Sequence, residues 1–178
     1  IKAQQLAQTD SQPKVVAILQ DLQDRNKADL VAFQSIYDGS AQYSDADFSA
    51  DSSALYWEDI GESNQGWNSL LWYRVGDLLT GGSLFGSDGV KPDDVRQGAI
   101  GNCWFLSAIA ALSEEPGRIE DLFLEKDGEL SPNGIYAVNF YTLGVPHTII
   151  VDDFIPAEEW YGNYYTVFSK FGPDSSAW

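Results

Sequence analysis

Apolar positions near the start of the chain recur at helical spacing. In "QPKVVAILQDLQDRNKADLVAFQSI" (12–36), Val15, Ile18, Leu19 and Leu22 share one face, and Leu30, Phe33 and Ile36 resume an apolar face after a charged stretch at 24–29. Pro13 suits a first helical turn, with Ser11 or Gln12 near the cap. The pattern predicts an N-terminal helix that packs or anchors; a partner-binding helix is the other reading. The following run, "YDGSAQYSDADFSADSS" (37–53), is small, polar and acidic, and reads as a linker. Its Asp45, Asp47 and Asp51 do not make an EF-hand loop. That loop needs Gly at its sixth position and Glu at its twelfth, and the residues there are Ala50 and Tyr56.

Further along, "WNSLLWYRVGDLL" (67–79) is compatible with a short helix, and "TGGSLFGSDGV" (80–90) with loop. The glycines match neither GxGxxG nor GxxxxGK[ST], so they do not cradle phosphate. "CWFLSAIAAL" (103–112) is apolar nearly all round, which predicts a helix buried on most sides. Glu114 to Gly117 end it, with Pro116 as breaker, and 118–124 predicts a short further helix. In "GIYAVNFYTLGVPHTIIVDDFIP" (134–156), Ile135 to Tyr141 and Thr148 to Val151 read as strands around a turn at Gly144, Val145 and Pro146. The fold class expected from these elements is α+β.

Composition narrows the function. The 178 residues are 44% apolar with six Trp, enough for one domain with a substantial core. The formal net charge of −17 excludes nucleic acid and anionic membrane surfaces as natural partners, and it is compatible with cation binding. One cysteine makes no internal disulfide. There is no glycosylation sequon, signal peptide or apolar run near 18 residues, so a reducing, cytoplasmic setting is expected and no transmembrane segment. The start at Ile1 and the lack of Met suggest a processed or incomplete chain.

The lone thiol, Cys103, sits in "QGAIGNCWFL" (97–106). A lone Cys beside Trp and Phe is ordinarily a small buried hydrophobe. The first turn of a helix, however, favours the thiolate through its unpaired N–H groups and dipole. Gly98 and Gly101 let the incoming backbone turn closely. Gln97 could aim its amide at a developing oxyanion, with the Cys103 N–H as the second donor. Asp152 and Asp153 are adjacent in a strand, so they point to opposite faces and read as structural hydrogen-bonding groups, not a catalytic dyad.

"DVRQGAIGNCWFLSAIAAL" (94–112) resembles the nucleophile segment of calpains, the papain-like cysteine proteases regulated by calcium. Asp94, Gln97, Gly98, Gly101, Cys103, Trp104, Phe105 and Leu106 match that pattern; Asn102 stands where the family usually has Asp. "SLFGSDG", the segment 134–156 and "TVFSKFGPDSSAW" resemble further family stretches in order, so the likeness covers about residues 48–178. It implies the Cys-bearing half of a papain-like cysteine protease fold, with a central buried helix starting at the Cys. The implied organisation is an N-terminal helical segment (1–40) followed by a protease-core subdomain (41–178).

The resemblance further implies Cys103 as nucleophile, Gln97 as the oxyanion-hole side chain and Trp104 as a wall beside the thiol. It implies a calcium-binding loop at Ser87 and Gly89 (carbonyls) and Asp94 (side chain), with Ser176 in place of an acidic ligand. The family's base and its Asn lie in a second half, which these 178 residues do not contain. The only histidine, His147, sits where the family usually has Trp and is given no catalytic role. The function expected is a calpain-like cysteine endopeptidase acting on proteins or peptides once completed by a half-domain carrying His and Asn, in the same or another chain. The alternative is an inactive calpain-like structural or interaction subunit of a larger assembly.

Overall fold

The computed structural model describes residues 12–55, 67, 69–79, 81–125 and 127–171. In chain order these form helix α1 (Gln12–Tyr37), strand β1 (Leu71–Arg74), the one-turn helix α2 (Val75–Leu78), helix α3 (Cys103–Ser113) and strands β2 (Ile135–Thr142), β3 (Val145–Asp152), β4 (Phe154–Trp160) and β5 (Asn163–Thr166). Short 3₁₀ turns occupy Ser52–Leu55, Pro92–Asp94 and Glu120–Leu122. Helix and sheet are thus mixed, as the α+β reading expected. No helix among the described residues is long and apolar enough to cross a membrane.

The β2–β3 hairpin carries the core. Its strands pair antiparallel from Ile135 opposite Asp152 to Thr142 opposite Val145, leaving only Leu143 and Gly144 as the loop. Both loop residues take positive φ, 52° and 81°, which matches the right-handed twist of a two-residue hairpin. The turn is therefore tighter than the sequence suggested, and Val145 and Pro146 belong to the strand. Side chains alternate across β2. Ile135 and Ala137 bury against Phe33 of α1, while Tyr136 packs on the other face against Leu84 and Phe85. The free edge of β2 is covered by 123–125, through a bridge from Phe123 to Val138 and a bond from the Leu124 N–H to the Ala137 carbonyl (3.0 Å).

Helix α1 lies along this hairpin. Asn26 Oδ1 accepts the Thr148 N–H, and Asn133 Nδ2 reaches the carbonyls of Ile36 (2.9 Å), Tyr37 (3.0 Å) and Gly39 (2.7 Å), at and just past the helix end, where the Ile36 carbonyl also accepts the Gly39 N–H (3.0 Å). Only the later part of the predicted apolar face is used: Phe33 is buried, whereas Val15 and Ile18 are exposed. The acidic stretch after the helix is strapped down. The Tyr43 N–H bonds the Asn133 carbonyl (2.8 Å), and the Asp45 N–H bonds Asp152 (2.8 Å).

The short helix expected at 67–79 is largely replaced by strand. Leu71–Arg74 pairs with β4, which pairs with β5, in the order β1-β4-β5; only Val75–Leu78 is α-helical. Trp72 and Tyr73 are good strand formers, and the ladder to β4 decides the outcome. Arg74 at the strand's end donates to Asp153 (2.5 Å) and to the Tyr43 carbonyl (2.5 Å), with its guanidinium 3.9 Å above the Phe154 ring. Asp152 accepts from Asp45 and Phe154. The two adjacent aspartates therefore do the structural hydrogen bonding expected of them.

One expectation about the fold is corrected. Helix α3 is a helix, but it is not centrally buried: Cys103 and Trp104 are exposed, the latter at 75%, as are Ala108, Ala111 and Leu112. The apolar sides of β2 are already taken up by α1 on one face and by Leu84, Phe85 and Phe123 on the other. An open cavity of about 630 Å³ remains beside α3, walled by Phe105, Leu106, Ile109 and Leu112 of the helix and by Val90 and Phe140 across from it. Composition predicted correctly that the helix is apolar, but cover for it is not provided by the described residues.

Candidate active site

Cys103 is the first residue of α3, and its thiol faces solvent. At this position its own N–H has no acceptor within the helix. The preceding Asn102 provides a carbonyl that accepts the N–H groups of Phe105 (2.9 Å) and Leu106 (3.1 Å). Its side chain makes no capping bond, and Oδ1 is buried with no partner among the described residues. One turn on, the Ser107 hydroxyl donates to the Cys103 carbonyl (2.7 Å). Trp104 lies edge-on to Phe105, with ring centroids 5.7 Å apart, and projects outward beside the thiol's turn.

The approach to this helix is a short extended ledge. The N–H groups of Gly98 and Ala99 bond the carbonyls of Phe168 (3.1 Å) and Val167 (2.8 Å), and Gln97 bridges to Ser169. A Cβ on Gly98 would stand 2.1 Å from the Val167 carbonyl oxygen, so close backbone approach excludes any side chain there. Around Gly101, by contrast, the space is open. Gln97 Nε2 donates to the Ile100 carbonyl (2.9 Å), which also accepts the Asn102 N–H (3.0 Å). The amide of Gln97 is thereby tied to the turn that delivers Cys103. A carboxamide has two N–H donors, and one suffices for this bond.

The other sequence candidates fall elsewhere. Gly89 takes φ 71°, and the Asp94 carboxylate accepts the Lys91 N–H (2.8 Å) in a capping box over Pro92–Asp94. The Ser87 hydroxyl bonds Asp88, which is paired with Lys91 at 3.0 Å. No cluster of three or more His, Cys, Asp or Glu able to hold a metal occurs among the described residues, and Oε2 of Glu120, which reaches this loop, is buried with no partner among them. Ser176 lies outside them. No step is routed through a calcium ion. His147 sits on β3 opposite Phe140, its Nδ1 buried with no partner among the described residues.

Two acids escaped the sequence reading. Glu120 accepts the Val90 N–H (3.0 Å) and so anchors the 83–94 loop. Glu125 is buried and accepts the Ala137 N–H (3.1 Å). Burial pushes its carboxyl up to about 7, and neighbouring Asp127 adds to the rise, although backbone N–H groups oppose it. The available signal was their position among apolar residues in "IEDLFLEKDG", too short to show a period.

A family model described as "Calpain family cysteine protease" matches residues 43–178. Similar proteins include calpain-type cysteine protease ADL1 of Oryza sativa subsp. japonica, 33% identical over 125 residues (67% of this chain, 6% of that protein). Calpain-5 of Caenorhabditis elegans is 32% identical over 97 residues (52% of this chain, 15% of that protein). Calpain-8 of Homo sapiens is 28% identical over 127 residues (70% and 18%). The chain thus spans less than a fifth of the length of these relatives. With a match over more than half of its residues, the chain belongs to the calpain family of cysteine proteases.

Proposed function

We propose that this chain is the nucleophile-bearing half of a calpain-type cysteine endopeptidase. The observation that carries the reading is an exposed thiol at the first residue of a helix, delivered by a glycine-dependent ledge whose Gln97 amide is tied into the same turn. The Cys103 thiolate attacks a peptide carbonyl carbon, and the tetrahedral oxyanion is held by the Cys103 N–H and the second Gln97 N–H. A histidine from a half-domain outside these residues takes the thiol proton and returns it to the leaving amine; water then hydrolyses the thioester. Residues 1–40 are read as a segment preceding the protease core, in line with a family match that begins at residue 43.

The test is covalent. A peptidyl epoxide or similar thiol-protease inhibitor is reacted with the full chain, alone and with a half-domain bearing His and Asn, with and without calcium, and the adduct is located by mass spectrometry. A Cys103 adduct whose rate rises with the second half supports the reading. A rate no faster than that of free cysteine, even with the second half present, leaves the non-catalytic interaction subunit as the better description.

A further inference from the structure

Away from Cys103, a cavity of about 380 Å³ opens between α1 and the segment that covers the β2 edge. This volume is within the range of small-ligand pockets. Leu30, Phe33, Gln34 and Tyr37 line it from the helix, and Glu125 and Asp127 line it from the opposite side. The Phe33 and Tyr37 rings stack at 5.4 Å and form an aromatic wall. Glu125 is only 5% exposed, yet no Lys, Arg or His among the described residues forms an ion pair with it.

An ionised carboxylate is rarely buried without a cation or a full set of donors. Backbone N–H groups, that of Ala137 among them, support the Glu125 carboxylate, and burial dominates the titration on both sides of the cavity. Burial raises the Glu125 carboxyl, and burial followed by the fields of Asp127 and Glu125 raises the Tyr37 phenol. An aliphatic stem would contact Leu30 and the ring faces, and a positive head would sit over the rings and against the two acids, where cation–π attraction adds to charge pairing.

We propose that this cavity is a binding site for an alkylammonium group, its chain lying on Leu30 and Phe33 and its head between Glu125 and Asp127. The group could come from a free amine or from a lysine side chain of a peptide.

The probes are n-butylamine, Nα-acetyl-lysinamide and the neutral isostere n-butanol, titrated into the full chain at about pH 8 and followed by calorimetry and by amide NMR shifts. Both amines are expected to saturate, with shifts at Ala137 and along 30–37, and butanol to bind at least tenfold more weakly. Glu125→Gln should weaken amine binding about tenfold or more, and Asp127→Asn by about two- to fivefold. Tighter binding of the lysine derivative identifies a peptide source; equal or weaker binding identifies a free amine. No saturable amine binding, equal binding of butanol, or unchanged affinity in Glu125→Gln overturns the proposal. Circular dichroism of Glu125→Gln separates loss of binding from loss of fold. None of these readouts involves Cys103.

Discussion

Arg74→Ala tests the electrostatic joint of the structure. Arg74 and Asp153 side chains are 17% and 7% exposed, so the pair at 2.5 Å is largely shielded from water. The same guanidinium also holds the Tyr43 carbonyl (2.5 Å) and covers the Phe154 ring. Arg74 thus joins three pieces: the end of β1, the strap after α1 and the junction between β3 and β4. Removing one partner of a buried pair leaves the other charge uncompensated, and the expected loss is about 3–5 kcal/mol. The contacts to Tyr43 and Phe154 are lost with it and are included in that range. Asp153→Asn keeps shape and an acceptor, and should cost less, about 1–3 kcal/mol. Replacing both by apolar residues, Arg74→Met with Asp153→Leu, removes both charges and should recover a large part of the single losses. Denaturant unfolding followed by Trp fluorescence, with m-values compared, measures all three. A loss under about 1 kcal/mol for Arg74→Ala, or simple additivity in the double variant, would refute the argument.

Glu125 makes a pH prediction. Its folded pKa of about 7 lies above the ordinary 4.5, so the folded state holds the proton more tightly. Stability from this group is intact below about 4.5, declines as pH rises toward 7, and the full cost stands above that. The shift sets an upper limit of about 3 kcal/mol, and because the neighbouring cavity is open to water, about 1–2 is expected. Glu125→Gln should therefore stabilise the chain at pH 8 and leave it unchanged at pH 4, as read by thermal unfolding at both; equal effects at the two would contradict it. Gly98→Ala forces a Cβ to within 2.1 Å of the Val167 oxygen, and should cost about 1–3 kcal/mol and expose the Ala99 amide to exchange. Asn133→Ala strips its donor from three carbonyls at the end of α1 and should cost about 1–3 kcal/mol, with faster hydrogen exchange at 33–39 as the local signature.

What was readable in the sequence was local. The helical spacing of 12–36, the β-branched and aromatic runs around Gly144, and a thiol at the start of an apolar helix are short-range signals, and each produced the element expected. Features set by partners distant in sequence were not readable. Arg74 meets Asp153 across 79 residues, and nothing in "WYRVGD" announces a buried charge. Leu71–Arg74 is too short for its alternation to outweigh a helical reading, and only the β4 ladder decides it. Gly98 was visible as a glycine, but the reason for it, the Val167 carbonyl, lies just past β5, 69 positions further along. The burial expected of α3 failed because composition specifies what a helix would bury and not what covers it.

The ledge beneath Cys103 also has a consequence for biosynthesis. Gln97–Ala99 pair with residues 167–169, about seventy positions further along, so these bonds can form only after the β4–β5 hairpin has been made. Contacts this distant in sequence carry a loop-closure cost before they return any stabilisation, and chains fold as they emerge from the N-terminus. A nascent chain ending before residue 167 would carry the Cys103 helix but not the segment 167–169 that fixes its approach. The thiol is thus brought to its station late in synthesis, after the elements that precede it have had time to fold.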